Sequence, residues 1–165
     1  MSVVIKSNDE VAAMHQAGRL NAEVRQILRE AIRPGVSGRE LDELAKEEIA
    51  RRGAEPTFVD YAPGDRPPYP GAICFSVNEQ LVHGIPGDAV LKDGDIVSID
   101  LGVTYNGWVS DAAFTAGVGT IAPETEALLH ATDEALQRGI EAARAGVYLG
   151  DVSYAIGSAA GSYGV

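Results

Sequence analysis

An Asn-Gly pair joins two strand-like apolar runs in the stretch from 98 to 114, which is SIDLGVTYNGWVSDAAF. Asn-Gly between alternating runs is the strongest short-range signal of a β-hairpin with a two-residue turn. A two-residue turn at Asn106 and Gly107 sets which residues of the two strands are paired. A slip of this register by one residue would move every side chain of a strand to the other face. The predicted partners are Tyr105 with Trp108, Asp100 with Ala113, and Gly102 with Asp111. Asp100 and Asp111 are therefore predicted to be diagonal neighbours on one face.

These two aspartates have no counter-charge nearby in the sequence, since no Lys or Arg occurs between Lys92 and Arg138. Diagonal neighbours lie about 7–8 Å apart at the backbone, and carboxylate side chains can close that separation around a shared ion. The physical options are a shared proton, a basic residue from elsewhere, or a metal ion, and a divalent metal answers the charge best. In the alternative interpretation, Asp111 caps the end of the hairpin and Asp100 lies at a solvated edge.

Helical patterns flank the predicted sheet. Two amphipathic helices come first, and each begins with a capping box, formed by Ser7 with Glu10 and by Ser37 with Glu40. Strand-like runs follow from Ala54. A third helix begins at Pro123, with the inward positions predicted to be Leu128, Leu129, Leu136 and Ile140, and a short fourth helix follows. The pattern predicts an α+β protein, with N-terminal helices packed on a mixed, mainly antiparallel sheet.

Length and composition narrow the class of protein. A chain of 165 residues has the length of one ordinary domain. Its net charge of −11 argues against a nucleic acid or an acidic membrane surface as the main partner. Cys74 is the only cysteine, which excludes an internal disulfide framework and a cysteine-cluster zinc site. Without a signal-peptide-like start or a membrane-spanning run, the sequence predicts a cytoplasmic protein.

Three residues upstream of the hairpin are further candidates for a functional site. His83 lies in the loop NEQLVHGIPGD, and Tyr69 and Cys74 lie in PPYPGAICFS. Taken singly, each has an ordinary explanation. A lone histidine is usually a surface or structural residue, and a lone strand cysteine usually behaves as a small apolar residue.

In combination, SVNEQLVHGIPGD followed by DGDIVSIDLGVTYNGWVSDAAFT resembles the type I methionine aminopeptidases of the pita-bread metallopeptidase superfamily. The resemblance rests on HGIP, DGDIVSID and SDAAFT in that order, and it extends over the two leading helices. It implies the α+β pita-bread fold. It also implies removal of the initiator methionine from nascent polypeptides with a small second residue, with ribosome-associated nascent chains as partners.

The resemblance also assigns roles to the candidate residues. Two divalent ions, of Co, Mn, Fe or Zn, would activate a water between them. Asp100 would be the bidentate ligand of one ion and Asp111 the bridge between both. His83 would hydrogen-bond the substrate near the scissile amide and stabilise the transition state. Tyr69 and Cys74 would line the pocket for the methionine side chain.

The sequence departs from the family pattern after Asp111. The family has a metal-binding His and two Glu ligands in its second half, whereas the only later histidine here is His130, in the helix that begins at Pro123. We therefore expect 1–165 to be a partial pita-bread domain whose C-terminal half is missing. Such a chain should bind metal weakly, be inactive alone, and self-associate through uncovered sheet surface.

Two other functions fit parts of the pattern. A proline-directed aminopeptidase of the same superfamily also carries two aspartates on such a hairpin, although HGIP favours the methionine enzyme. A non-catalytic pita-bread protein that binds a peptide or partner would also lack the second-half ligands. Retention of Asp100, Asp111 and His83 argues against that alternative.

Overall fold

Helices and antiparallel strands alternate in blocks along the chain. The computed structural model describes residues 3–164. Its elements are α1 (Asn8–Ala31), α2 (Gly38–Arg51), β1 (Glu55–Pro56), β2 (Ile73–Val77), β3 (Ile96–Tyr105), β4 (Trp108–Gly117), α3 (Pro123–Ala142) and α4 (Leu149–Ser162). This order confirms the predicted succession of two helices, a sheet and further helices.

Both predicted capping boxes are present. The Ser7 amide donates to Glu10 Oε2 at 2.7 Å, and the Glu10 amide donates back to Ser7 Oγ at 3.3 Å. Ser37 and Glu40 repeat the arrangement, with distances of 2.8 and 3.2 Å. Each box satisfies helix N–H groups that have no partner within the helix, so it sets where the helix begins.

β3 is the central strand of the sheet. β4 pairs along one edge of β3, while β1 and β2 pair with different parts of its other edge, and these pairings are all antiparallel. The turn residues Asn106 and Gly107 have φ of +50° and +79°, as a type I′ turn requires. The register confirms the prediction, with Asp100 opposite Ala113 and Gly102 opposite Asp111.

The core lies between the sheet and the first two helices. Ile99 and Leu101 of β3 are buried together with Val24 and Leu28 of α1, and the full cluster includes Leu41, Ala45 and Ile49 of α2 and Val97 and Val103 of β3. Side chains alternate between the two faces of a strand. Asp100 therefore points to the face opposite the core.

α3 and α4 pack against each other through small residues. Residues up to Thr120 and residues from Ile121 form two compact units, and these helices make up the second. Ala131, Ala135 and Gly139 are the buried positions of α3. A Cβ on Gly139 would lie 2.7 Å from Ile156 Cγ1, so the contact depends on a glycine. At Gly139 this small-residue stripe meets Ile156 of α4.

The predicted inward positions of α3 are therefore wrong in part. Leu128, Leu136 and Ile140 are 41%, 53% and 59% exposed. Close approach of two helices favours alanine and glycine at the contact, which leaves the larger apolar residues on other faces. The assignment of 1–165 to a single partial domain remains a prediction. No helix within residues 3–164 combines the length and apolar character needed to cross a membrane.

Candidate metal centre

The hairpin brings the two candidate metal ligands to one face of the sheet. Asp100 lies on β3 and Asp111 on β4, in diagonal positions. Asp100 is half-buried and Asp111 is exposed. Within residues 3–164, neither carboxylate forms an ion pair with a basic side chain. Among the described residues, therefore, no basic side chain from elsewhere in the chain supplies the counter-charge of this pair.

The environment of Asp100 disfavours its charged form. The pKa of this carboxyl is raised to about 6, chiefly by burial and also by the negative charge of Asp111. A positive charge on His83 would act in the opposite direction. A cation bound between the two carboxylates would offset the repulsion between their negative charges, which is one cause of the raised pKa of Asp100.

Cys74 and Tyr69 adjoin the aspartate pair. Cys74 is the direct neighbour of Asp100 on β2 and is buried. Burial raises the pKa of its thiol, the charges of both aspartates add to that increase, and a hydrogen bond with Tyr69 opposes it. Burial is also the main cause that raises the pKa of the Tyr69 phenol. Both groups are therefore neutral at physiological pH, and the thiol is unsuited to be a thiolate ligand.

The loop that carries His83 is held to β2 at the next residue, Gly84. The Gly84 carbonyl accepts from the Phe75 amide at 2.7 Å and from the Tyr69 hydroxyl at 3.0 Å. The Gly84 amide donates to Ser76 Oγ at 3.1 Å. A Cβ on Gly84 would lie 2.1 Å from the Phe75 carbonyl oxygen, so only glycine fits. His83 itself is exposed and has φ of +59°, an uncommon conformation for a side-chain-bearing residue.

Phe58 is a member of this site that the sequence did not reveal. Its ring meets the Tyr69 ring edge to face, with centroids 6.5 Å apart. A Cβ on Gly102 would lie 2.8 Å from Phe58 Cε1, so the ring covers the glycine directly opposite Asp111. Phe58 occurs in an apolar run that predicted only a strand, and β1 ends two residues before it. Nothing local distinguished this aromatic from a core residue.

The donor set fits a divalent metal but is incomplete. Two unpaired carboxylates on one face supply the oxygen ligands that hard or borderline divalent ions accept. Among residues 3–164, however, no group of three or more His, Cys, Asp or Glu side chains is arranged to hold an ion. His130, the later histidine, packs its ring against Tyr163 within the second unit. Any ion at Asp100 and Asp111 would need ligands beyond these two.

Comparison with known proteins decides the family. The model of metallopeptidase family M24 matches residues 12–165. The chain belongs to metallopeptidase family M24. It is 45% identical over 154 residues to methionine aminopeptidase 1 of Bacillus subtilis, which covers 93% of this chain and 60% of that protein. It is also 45% identical over 152 residues to methionine aminopeptidase 1 of Mycobacterium tuberculosis, covering 92% of this chain and 55% of the relative.

Solved structures of family M24 proteins confirm the pita-bread fold. The methionine aminopeptidase of Thermotoga maritima superimposes with a TM-score of 0.92 at 35% identity, covering 99% of this chain and 64% of that one. A Xaa-Pro dipeptidase from Bacillus anthracis superimposes with a TM-score of 0.82 at 23% identity, covering 97% and 42%. The second comparison supports the fold alone. This M24 chain spans about 60% of the length of the curated relatives it matches.

Proposed function

We propose that this M24 chain carries part of the active site of a methionine aminopeptidase, which removes the initiator methionine from nascent polypeptides with a small second residue. The observation that carries the proposal is the placement of Asp100 and Asp111 on one face of the hairpin, beside Cys74 and with no basic partner among residues 3–164. Metal ligation and a pocket for an apolar side chain are the two parts that such an enzyme needs.

In this proposal Asp100 and Asp111 would be ligands of two divalent ions of Mn, Fe, Co or Zn, and the remaining ligands would come from outside the described residues. When bound, the ions supply an activated water and neutralise charge that develops on the scissile amide. The two carboxylates keep the ions on the open face of the sheet. Burial of Asp100 limits competition from solvent.

His83 contacts the substrate in this proposal. Its position on an exposed loop lets the imidazole reach a peptide lying over the sheet, and its ring nitrogens can hydrogen-bond the backbone next to the scissile bond. The Gly84 attachment to β2 limits the movement of this loop. His83 would thereby orient the amide and stabilise the transition state.

Tyr69, Cys74 and Phe58 form the wall of the proposed methionine pocket. The neutral thiol and the two aromatic rings are apolar and polarisable, which suits an unbranched thioether. The Tyr69 hydroxyl also donates to the Ile73 carbonyl at 3.0 Å, so the ring is held in place from the β2 side. Phe58 and Tyr69 pack edge to face and stiffen each other.

The proposed partners are nascent polypeptide N-termini at the ribosome, in the cytoplasm, with no direct role for nucleic acid or membrane. The outer edge of β4 has no strand partner within residues 3–164, which supports self-association of the 165-residue chain. A concentration-dependent increase in mass by light scattering is the expected result. A single monomeric mass up to high concentration would contradict this part of the proposal.

The proline-directed alternative is less well supported. Identity to solved methionine aminopeptidases reaches 35%, whereas identity to the proline-directed enzymes is 22–24%. The site itself adds a second reason, because an apolar wall with a thiol fits a methionine side chain. A non-catalytic peptide-binding role would keep the pocket but would not need the aspartates.

A metal-binding and cleavage experiment tests the proposal. Mn²⁺ binding to the chain should be weak and should be lost in Asp100→Asn. The matched surface variant Asp88→Asn should bind as the original does, since Asp88 is exposed and pairs with the exposed Arg39. Methionine release from Met-Ala-Ser should exceed cleavage of Ala-Pro-Ser wherever turnover is detected. Mn²⁺ binding that survives both Asp100→Asn and Asp111→Asn would refute the proposed site.

A further inference from the structure

An asparagine on the core side of the sheet contacts both strands of the metal-site hairpin. Asn21 lies in α1 and is 1% exposed, and no motif of the sequence points to it. Its Nδ2 donates to the Leu101 carbonyl at 2.9 Å and to the Ser110 carbonyl at 3.2 Å. Leu101 belongs to β3 and Ser110 to β4. One amide group therefore joins the two strands from beneath.

The two bonded carbonyls adjoin the two aspartates. Leu101 is the residue after Asp100, and the Ser110 carbonyl is part of the peptide bond that joins Ser110 to Asp111. Within residues 3–164, Asn21 is the only helix side chain that hydrogen-bonds the backbone of this hairpin. The position of each carbonyl relative to the other sets the separation of the neighbouring aspartates across the sheet.

Each polar atom of the Asn21 amide has a hydrogen-bond partner, and these partners fix its orientation. Arg25 Nε donates to Asn21 Oδ1 at 3.0 Å, so the amide oxygen is engaged on the helix and the NH₂ group faces the sheet. Both N–H groups and the oxygen thus have partners. Gly18, one turn earlier, lies over Ser110, where an added Cβ would come within 3.9 Å of Ser110 Oγ. α1 is therefore close enough to the hairpin for a short side chain to reach it.

Packing alone does not explain a polar residue here. Burying an amide costs free energy unless every hydrogen bond is made, and the neighbouring positions of the core are filled by apolar side chains. A leucine has the same branching as asparagine but could not bond either carbonyl. The Asn21 amide adds directional hydrogen bonds that hold one carbonyl of β3 and one of β4, next to the two aspartates.

We propose that Asn21 is a positioning residue, which holds the backbone beside Asp100 and Asp111 so that the two carboxylates converge on a shared ion. This rests on the proposed function, because that function assigns the aspartates as metal ligands. Asn21 lies on the core side of the sheet, opposite the aspartates, and acts through the backbone. Partners that orient metal ligands typically change metal affinity by about 10–100-fold when removed, and an effect exerted through the backbone belongs at the lower end.

The test compares Asn21→Leu, which keeps the branching of the side chain and removes the donors, with Ile49→Ala, a fully buried truncation on α2, a helix that packs on β1 and β2. The first readout needs no metal: the carboxyl ¹³C resonances of Asp100 and Asp111 at about pH 7.5, above the raised pKa of Asp100, should both shift in Asn21→Leu and stay in place in Ile49→Ala. The second is Mn²⁺ affinity, which should fall about tenfold in Asn21→Leu alone.

Unchanged resonances in Asn21→Leu, or equal shifts in Ile49→Ala, would overturn the positioning role. If Asn21→Leu does not fold, Asn21→Ala replaces it, because alanine is the best helix former and leaves room for water. If the original chain binds no Mn²⁺, the proposed function fails, whereas the metal-free spectra still decide whether Asn21 positions the aspartates. Shifted resonances with unchanged Mn²⁺ affinity would also count against the proposal.

Discussion

Asp42 should be the most sensitive single polar residue of the N-terminal unit. This carboxylate on α2 is 4% exposed. Its Oδ1 accepts from the Ala72 amide at 2.7 Å and from the Ile73 amide at 3.2 Å, while Oδ2 meets Lys46 Nζ at 2.8 Å. One side chain thus satisfies two successive N–H groups where β2 begins.

The cost of removing it follows from those contacts. Asp42→Ala leaves two buried N–H groups without a partner, and each costs about 1–3 kcal/mol. We expect the free energy of unfolding to fall by about 3 kcal/mol. This is less than the sum of the two upper limits, because water can partly reach the N–H groups that lose their partner. Asp42→Asn keeps an acceptor oxygen but places an amide against the Lys46 ammonium, so its loss should be about half as large.

Urea denaturation followed by circular dichroism measures these free energies, with Glu43→Ala as the matched control. Glu43 is the next residue of α2 and pairs with the same lysine at 3.0 Å, but it is 61% exposed. Exposed pairs contribute less than about 1 kcal/mol. Equal losses in Asp42→Ala and Glu43→Ala would refute the reasoning, as would unchanged hydrogen exchange at the Ala72 and Ile73 amides.

Three further outcomes are expected. Gly84→Ala should displace the His83 loop and lower stability by at least about 1–3 kcal/mol, because the new Cβ overlaps the Phe75 carbonyl; a melting temperature equal to that of the original chain would contradict it. In the metal-free chain the Asp100 carboxyl should titrate near pH 6, and Asp111→Asn should lower that pKa, as carboxyl ¹³C NMR can measure. Since the folded-state pKa of Asp100 is raised, the contribution of this carboxyl to the free energy of unfolding is full at low pH and is lost as pH rises through about 6. A contribution that increased as pH rose through about 6 would contradict this expectation. Ser37→Ala should lower the free energy of unfolding by about 1 kcal/mol through loss of the α2 cap, with Ser153→Ala, on the surface of α4, as the control in denaturant titrations.

Features that depend on neighbouring residues were predictable. The register of β3 and β4 follows from a two-residue turn and the alternation on either side, so the diagonal placement of Asp100 and Asp111 could be predicted from the sequence. The starts of α1 and α2 follow from side chains three residues apart. The α+β class follows from the order of helical and strand-like patterns, whereas the pita-bread fold and the roles of the candidate residues were reached by resemblance, whose motifs are short and local.

Contacts between distant parts of the chain were not predictable. The inward face of α3 was wrong in part because apolar size indicates burial in general, whereas a close helix pair selects small residues. Phe58 was missed because its partner Tyr69 lies beyond a Pro-rich loop. The α2 carboxylate Asp42 gave no signal, since its N–H partners lie 30 and 31 residues away.

The sequence alone determined that two unpaired carboxylates share one face of a hairpin, because strand period and turn chemistry are local. Only the tertiary structure decided what holds that hairpin from behind. Asn21 is 80 residues from Leu101 and 89 from Ser110, and an asparagine on a helix has the same local pattern whether it meets water or a carbonyl. Its partners exist only once α1 packs on the sheet, where burial makes each of its hydrogen bonds necessary.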